Sequence, residues 1–248
     1  MASPTTASAE TPERTNSVRR IFGALFSPKA TFESIVRRPT WLLPLLLLTV
    51  LAVVIVGIFT HRGGWPSFFE KQMATNTRIQ QMPADQQQRV IEAQLKYGPP
   101  VAYVEAAIIP FLAVLVVASV FLGVFKGLAG AQFGFKTSLG IVSYASVPGL
   151  IGQLLAILVL CIKDASTVDI QNVVASNAGA FLSSNSPKWM MALLGSLDIF
   201  SFWFMILMAI GYSAAAPKKL SFGKAFAWIL CVWVFWVVVK VGLTAAFA

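Results

Sequence analysis

The chain has 248 residues, of which 57% are hydrophobic and only 12% are charged. Together with a mean hydropathy of +0.74, this composition excludes an ordinary soluble domain, in which about 25% of the residues are charged. The net charge of +9 would favour a nucleic-acid partner only if the basic residues formed a soluble patch, but they flank apolar runs. We therefore expect no nucleic-acid partner. A single histidine, His61, and the lack of a CxxC pair predict no metal site from spacing.

The N-terminal region divides into two parts. Residues 1–16 are small and polar without apolar periodicity, which predicts a disordered cytoplasmic tail. In residues 17–40, apolar side chains recur at helical spacing, while Arg19 and Arg20 fall on the opposite side. This pattern predicts two short amphipathic helices in the plane of the membrane interface. They would pack on the bundle as a lead-in to the first span, or would bind a partner or sense lipid.

Five long apolar runs dominate residues 41–248. Each comes close to or exceeds the roughly 20 residues that a helix needs to cross a bilayer core. The predicted spans are residues 41–59, 101–125, 141–162, 189–212 and 222–247. The polar residues 60–100 between the first two carry helix-like patterns and predict a helical exoplasmic loop. The fold class is therefore predicted to be all-α, a polytopic membrane bundle of five transmembrane helices.

Pro148 interrupts the third predicted span, and Gln153 follows it. Proline leaves a carbonyl free about one turn earlier, near Tyr144, and a nearby serine or Gln153 could satisfy what is left open. We therefore name Pro148 and Gln153 as a candidate helix kink. Because broken helices at mid-membrane also occur at transport sites, a structural kink and a transport site both stay open.

The basic residues predict the orientation of the chain. Lys and Arg concentrate before the first span and in the short loops after the second and fourth spans. Cytoplasmic segments carry such an excess of basic residues. We predict a multi-pass protein of the cell membrane with its N-terminus in the cytoplasm and its C-terminus on the exoplasmic side.

Three charged residues lie a turn or more inside the ends of predicted spans: Glu105, Asp198 and Lys240. A charge at the centre of a span costs about 2.5–3.5 kcal/mol on insertion scales, so it should face protein or water. Asp198 and Lys240 have similar predicted depths, and we hypothesise that they pair, with Glu105 nearby. The pair would fix the helix register or act as a proton or ion relay. Alternatively, Lys240 reaches outward alone and Asp198 bonds to Ser201 or a neighbouring hydroxyl.

Three segments of the chain resemble the Yip domain family, five-span membrane proteins named for interaction with Ypt/Rab GTPases. They are SPKATFESIVRRPTWLLPLLL (27–47), GFKTSLGIVSYASVPGLIGQLL (134–155) and GSLDIFSFWFMILMAIGYSAAAPKKLSFGKAF (195–226). The resemblance implies the same five-span topology and, for eukaryotic members, a link to vesicle traffic. The short tail and the Gln-rich stretch at 60–100 look more like the bacterial branch. Small GTPases are therefore expected as partners only by analogy, and no functional residue is carried over.

No sequence pattern combines a nucleophile with a base, a metal-ligand cluster or a cofactor loop. We therefore predict a non-enzymatic integral membrane protein with no catalytic residues and no cofactor. It would organise the membrane or bind partners as a scaffold, the partners being the lipid bilayer, a second copy of the chain or other membrane proteins. The alternative is a small solute or ion transporter or channel that uses Glu105, Asp198 and Lys240.

Overall fold

The structure is a computed structural model, which describes residues 16–74, 76–170, 172–183 and 186–247. Its helices are α1 (Ser17–Phe26), α2 (Pro28–Arg37), α3 (Leu42–His61), α4 (Trp65–Ala74), α5 (Thr77–Gln80), α6 (Ala84–Gly127), α7 (Phe135–Ala145), α8 (Val147–Ile162), α9 (Lys188–Leu194), α10 (Ile199–Ala215) and α11 (Phe222–Phe247), with a 3-10 turn at Ala178–Phe181. These ranges contain no strand, and the all-α prediction is confirmed. Residues 1–15 of the predicted tail lie outside the described residues.

Within the part of the chain that the structure describes, four helical stretches are long and apolar enough to cross a membrane. They are Leu42–His61, Ala84–Gly127, Phe135–Ile162 and Phe222–Ala246. The predicted fourth span, residues 189–212, is wrong as a continuous helix, because the chain divides there into the short α9 and the 17-residue α10. At about 1.5 Å per residue, α10 is roughly 26 Å long, slightly less than the bilayer core. The five-span count stays a prediction.

The second span is part of a much longer helix than the sequence predicted. α6 has 44 residues and contains Pro99, Pro100 and Pro110. The helix runs through the two adjacent prolines and begins well before residue 101, where the second span is predicted to start. The limits of the span within this helix stay a prediction. At about 1.5 Å per residue, α6 is roughly 66 Å long, about twice a bilayer core, so one half extends beyond the membrane. α4 packs against this outer half at Gly98, where a Cβ would overlap the ring of Phe69.

The main core joins the N-terminal helices to the bundle. α2 packs against α7 and α10, and its Phe32 and Ile35 are fully buried. The closest approach is at Gly211 on α10, where an added Cβ would overlap Ile141 and lie 2.9 Å from Cδ1 of Phe32. The two N-terminal helices therefore form a hairpin that packs on the helical bundle. Their predicted location at the membrane interface stays a prediction.

Arg20 attaches α1 to the end of α2. The expectation that Arg20 lies on the polar outer side of α1 is wrong, since its side chain is only 4% exposed. Its guanidinium donates hydrogen bonds to the carbonyls of Ser34 (3.0 Å) and Arg38 (2.9 Å) and to the Thr40 hydroxyl (2.9 Å). Thr40 also hydrogen-bonds to the buried Tyr144 on α7 at 3.1 Å. Three backbone and hydroxyl acceptors thus take the place of a carboxylate.

Candidate functional site

The candidate site lies where the predicted fourth span is interrupted. α9 ends at its C-cap Gly195, and the chain is extended at Asp198 before α10 begins. Asp198 is the N-cap of α10, and its Oδ2 accepts hydrogen bonds from the backbone N–H (2.9 Å) and the hydroxyl (3.1 Å) of Ser201. The carboxylate thereby satisfies donors that the start of a helix leaves open. A bond between Asp198 and Ser201 is the alternative to the ion pair with Lys240 that the sequence predicts.

The loop after α8 returns to the same point. Ile199 N–H donates to the carbonyl of Ser176 (3.1 Å), and Ala178 N–H donates to that of Leu197 (3.2 Å). These two bonds enclose an antiparallel bridge between Asn177 and Asp198. In such a non-hydrogen-bonded pair the two side chains lie close together on one face. The interruption of the span therefore places an amide next to the carboxylate.

Gln153 approaches from α8. Its side-chain amide donates to the carbonyl of Leu48 on α3 at 3.1 Å. It does not cap the carbonyls near Tyr144, where Ser146 instead donates to Val142 at 2.9 Å. The helix is divided at Ser146, between α7 and α8, and Pro148 lies in the first turn of α8. Gln153 thus connects α8 to α3 and leaves its oxygen for another partner.

Gln153 lies at the junction of three cavities. The first, here called the Gln153 cavity, measures about 390 Å³ and is also lined by Asn177, Asp198 and Ser201. A neighbouring cavity of about 370 Å³ shares Gln153 and Asp198. A third, of about 580 Å³, shares Gln153 and reaches Glu105 beneath α4. Glu105, Gln153 and Asp198 therefore line neighbouring cavities, and Gln153 is common to all three.

The predicted pairing of Asp198 with Lys240 is wrong in this structure. The Lys240 ammonium donates to the hydroxyl of Ser196 at 3.3 Å and is exposed, whereas Asp198 bonds to Ser201. The hypothesis assumes similar depths in two continuous helices, and the break before Asp198 removes that premise. Glu105 lies on the third cavity and shares with Asp198 only a neighbour, Gln153. The cluster is therefore not joined as a set of contacting charges.

Sequence reasoning missed Asn177. It lies in the Ser- and Asn-rich loop before α9, and its amide donates to Oδ1 of Asn172 at 2.9 Å. The interruption between α9 and α10 could have been predicted from Gly195-Ser196-Leu197-Asp198, because glycine commonly ends a helix and aspartate commonly begins one. Among the described residues, no three His, Cys, Asp or Glu side chains form a group that could hold a metal. Any ligand here would be held chiefly by oxygen atoms.

Two comparisons with known proteins found a similarity to this chain. The Yip1 domain family model matches residues 22–243. A Bacillus subtilis (strain 168) protein named membrane protein YknW is 27% identical over 227 residues, which cover 90% of this chain and 88% of that protein. No solved structure matches the chain.

Proposed function

Because the chain belongs to the Yip1 domain family, we propose that it is a non-enzymatic membrane protein that binds and organises partner proteins. Its apolar helices fit an integral membrane protein. The proposed partners are other membrane proteins, including a second copy of the chain. The bilayer that surrounds the apolar helices is the medium in which these partners meet.

The exposed face of α1 is the observation that carries this proposal. Phe22 is 61% exposed and Phe26 is 81% exposed, although both are large aromatic residues. Fixed exposed aromatic side chains are typical of protein-binding surfaces. Arg20 holds α1 on α2, and α2 is buried against the bundle through Phe32. The face is therefore presented on a supported helix.

Crosslinking tests this surface in intact membranes. A photoreactive amino acid replaces Phe22 or Phe26, and a matched control replaces Lys29, which is exposed on the neighbouring helix α2. We expect a discrete protein adduct from the two α1 positions and not from position 29. Arg20→Met should reduce the yield because it removes the hydrogen bonds that hold α1, while Arg37→Lys should not. Adducts with lipid only, or equal adducts from all three positions, would contradict the proposal.

The orientation is part of the same proposal. We place the N-terminus in the cytoplasm and the C-terminus on the exoplasmic side, in the cell membrane, on the basis of the basic residues near the span ends. This orientation requires α10 to cross the membrane despite its 17 residues. Activity of a C-terminal reporter that works only in the cytoplasm would contradict the predicted orientation.

A second candidate function is transport of a small solute or ion. The three cavities that meet at Gln153 favour it, because transporter sites lie at interruptions of membrane helices. The version that relays a proton between Asp198 and Lys240 has no contact to use, since each side chain bonds elsewhere. Solute flux into proteoliposomes that is abolished by Gln153→Leu would favour transport, and lack of flux would favour the scaffold.

A further inference from the structure

We propose that the Gln153 cavity binds one monovalent alkali cation through side-chain oxygens of Gln153, Asn177 and Asp198. This site is independent of the partner surface on α1 and does not require that the ion is transported. The proposal rests on unpartnered atoms, on the geometry of the helix interruption and on the local charge.

Three acceptor oxygens around the cavity are buried and lack a hydrogen-bond partner. They are Oε1 of Gln153, Oδ1 of Asn177 and Oδ1 of Asp198. The Gln153 amide has a fixed orientation, because only its nitrogen can donate to the carbonyl of Leu48. The Asn177 nitrogen donates to Asn172 Oδ1, which leaves its own oxygen without a partner. Buried polar atoms are nearly always satisfied, and these acceptors suit a ligand that carries positive charge or donates hydrogen bonds. A cation can satisfy all three oxygens at once.

The backbone brings these oxygens towards one space. The antiparallel bridge sets Asn177 beside Asp198, with Cβ atoms about 4.5–5.5 Å apart in pairs of this kind. Gln153 lines the same cavity from α8. The other oxygen of Asp198 is already bound by Ser201. The carboxylate can therefore cap α10 and face the cavity at the same time.

The charge of the site selects the class of ion. Asp198 is the single carboxylate among the described residues that line this cavity. The Lys240 ammonium donates its hydrogen bond to the hydroxyl of Ser196 and not to this carboxylate. One negative charge matches one monovalent cation, whereas Ca²⁺ sites take 6–8 oxygen ligands that include carboxylates. Oxygen ligands without thiolate or imidazole also disfavour transition metals.

The two helix ends at the break, the C-terminus of α9 and the N-terminus of α10, have opposite effects on a bound cation. The N-terminus of α10 carries a partial positive charge that opposes cation binding, equivalent to about half an elementary charge. Asp198 supplies a full negative charge there, and the C-terminal end of α9 reaches the same cavity at Gly195. Interrupted membrane helices coordinate cations in this way, with unwound chain and helix C-termini.

Direct binding tests the site in the purified full-length chain. The protein in nanodiscs is kept in choline chloride, and Na⁺ or K⁺ is added at constant ionic strength while binding of ²²Na⁺ and the Tm are measured. We expect saturable binding of one ion per chain and a rise in Tm. Asp198→Asn should weaken binding at least tenfold, since asparagine keeps the helix cap but removes the charge. Gln153→Leu should weaken binding severalfold without touching that cap.

The control is Asp164→Asn, which neutralises a fully exposed carboxylate in the loop after α8 and should leave binding unchanged. Binding without flux in proteoliposomes supports the site and argues against transport. The proposal is overturned by an absence of saturable Na⁺ and K⁺ binding, by binding that survives both Asp198→Asn and Gln153→Leu, or by a Tm that responds to Ca²⁺ and not to monovalent ions.

Discussion

The hydroxyl oxygen of Tyr212 lies 2.7 Å from that of Ser138 in the buried centre of the protein. Ser138 also donates to the carbonyl of Ala118 at 2.7 Å. Because serine has one hydroxyl proton, which the carbonyl accepts, Tyr212 must donate to Ser138. One chain of hydrogen bonds therefore joins α10, α7 and α6, and the ring of Tyr212 packs on Phe125 with centroids 4.6 Å apart.

This direction predicts unequal effects of removing the two hydroxyls. Tyr212→Phe leaves Ser138 bonded to Ala118 and should lower the free energy of unfolding by about 1 kcal/mol, the net value of one hydrogen bond. Ser138→Ala leaves the buried Tyr212 hydroxyl without a partner and should cost about 1–3 kcal/mol. Denaturation in detergent measures both, and a larger loss for Tyr212→Phe would contradict the assigned donor.

The close contact at Gly211 predicts that any side chain at this position destabilises the protein. Gly211→Ala should destabilise the protein by about 1–3 kcal/mol, because the methyl group would overlap Ile141 and press on Phe32. Gly123→Ala on α6 is the matched control, since nothing lies within 4 Å of its added Cβ. The Tm should fall for the first variant and stay level or rise for the second. Equal changes would show that α2 does not pack against α10 in this way.

The separate partners of Asp198 and Lys240 predict that the two residues are energetically independent. Asp198→Ala should cost about 1 kcal/mol through loss of the helix cap. Lys240→Met should cost little because it removes one long hydrogen bond, to Ser196 at 3.3 Å. In a double-mutant cycle the effects should add within about 0.5 kcal/mol, as they do for residues without shared partners. A larger coupling energy would contradict this independence and support an ion pair between Asp198 and Lys240.

Asp164 predicts a pH-dependent contribution outside the membrane. The backbone N–H of Ser166 donates to its carboxylate at 3.0 Å, and this bond chiefly holds the pKa of Asp164 below its usual value, with smaller contributions from the Ser166 side chain and Arg62. A lowered folded-state pKa stabilises the fold above the unfolded-state pKa of about 3.9, and this stabilisation disappears as the pH falls through the folded-state value.

The stability difference between wild type and Asp164→Asn should therefore shrink between pH 5 and the acid limit. Denaturation across this range measures the difference, and NMR titration of the Asp164 carboxyl group measures the pKa directly. A difference that grows on acidification would contradict the assigned sign.

Hydropathy predicted most of the architecture because the length of an apolar run is a local property. It identified the helices that now form α3, α8 and α11 and the membrane character of the chain. Hydropathy did not predict the helix break at Asp198. It averages over many residues, whereas an N-cap depends on a single residue. It also failed at Arg20, whose partners include carbonyls at the end of α2, and at Asn177, which forms a backbone bridge with Asp198. Such partners depend on tertiary structure, and residue periodicity carries no information about them.

The length of α6 has a mechanical consequence. One unbroken helix joins a tip at Ala84, beyond the bilayer, to Phe125 in the core at its other end. Each proline inside a helix removes one backbone hydrogen bond, so bending of α6 should concentrate at Pro99, Pro100 and Pro110. The two ends of α6 can therefore change their relative angle about these prolines while the ring of Phe125 stays packed against Tyr212.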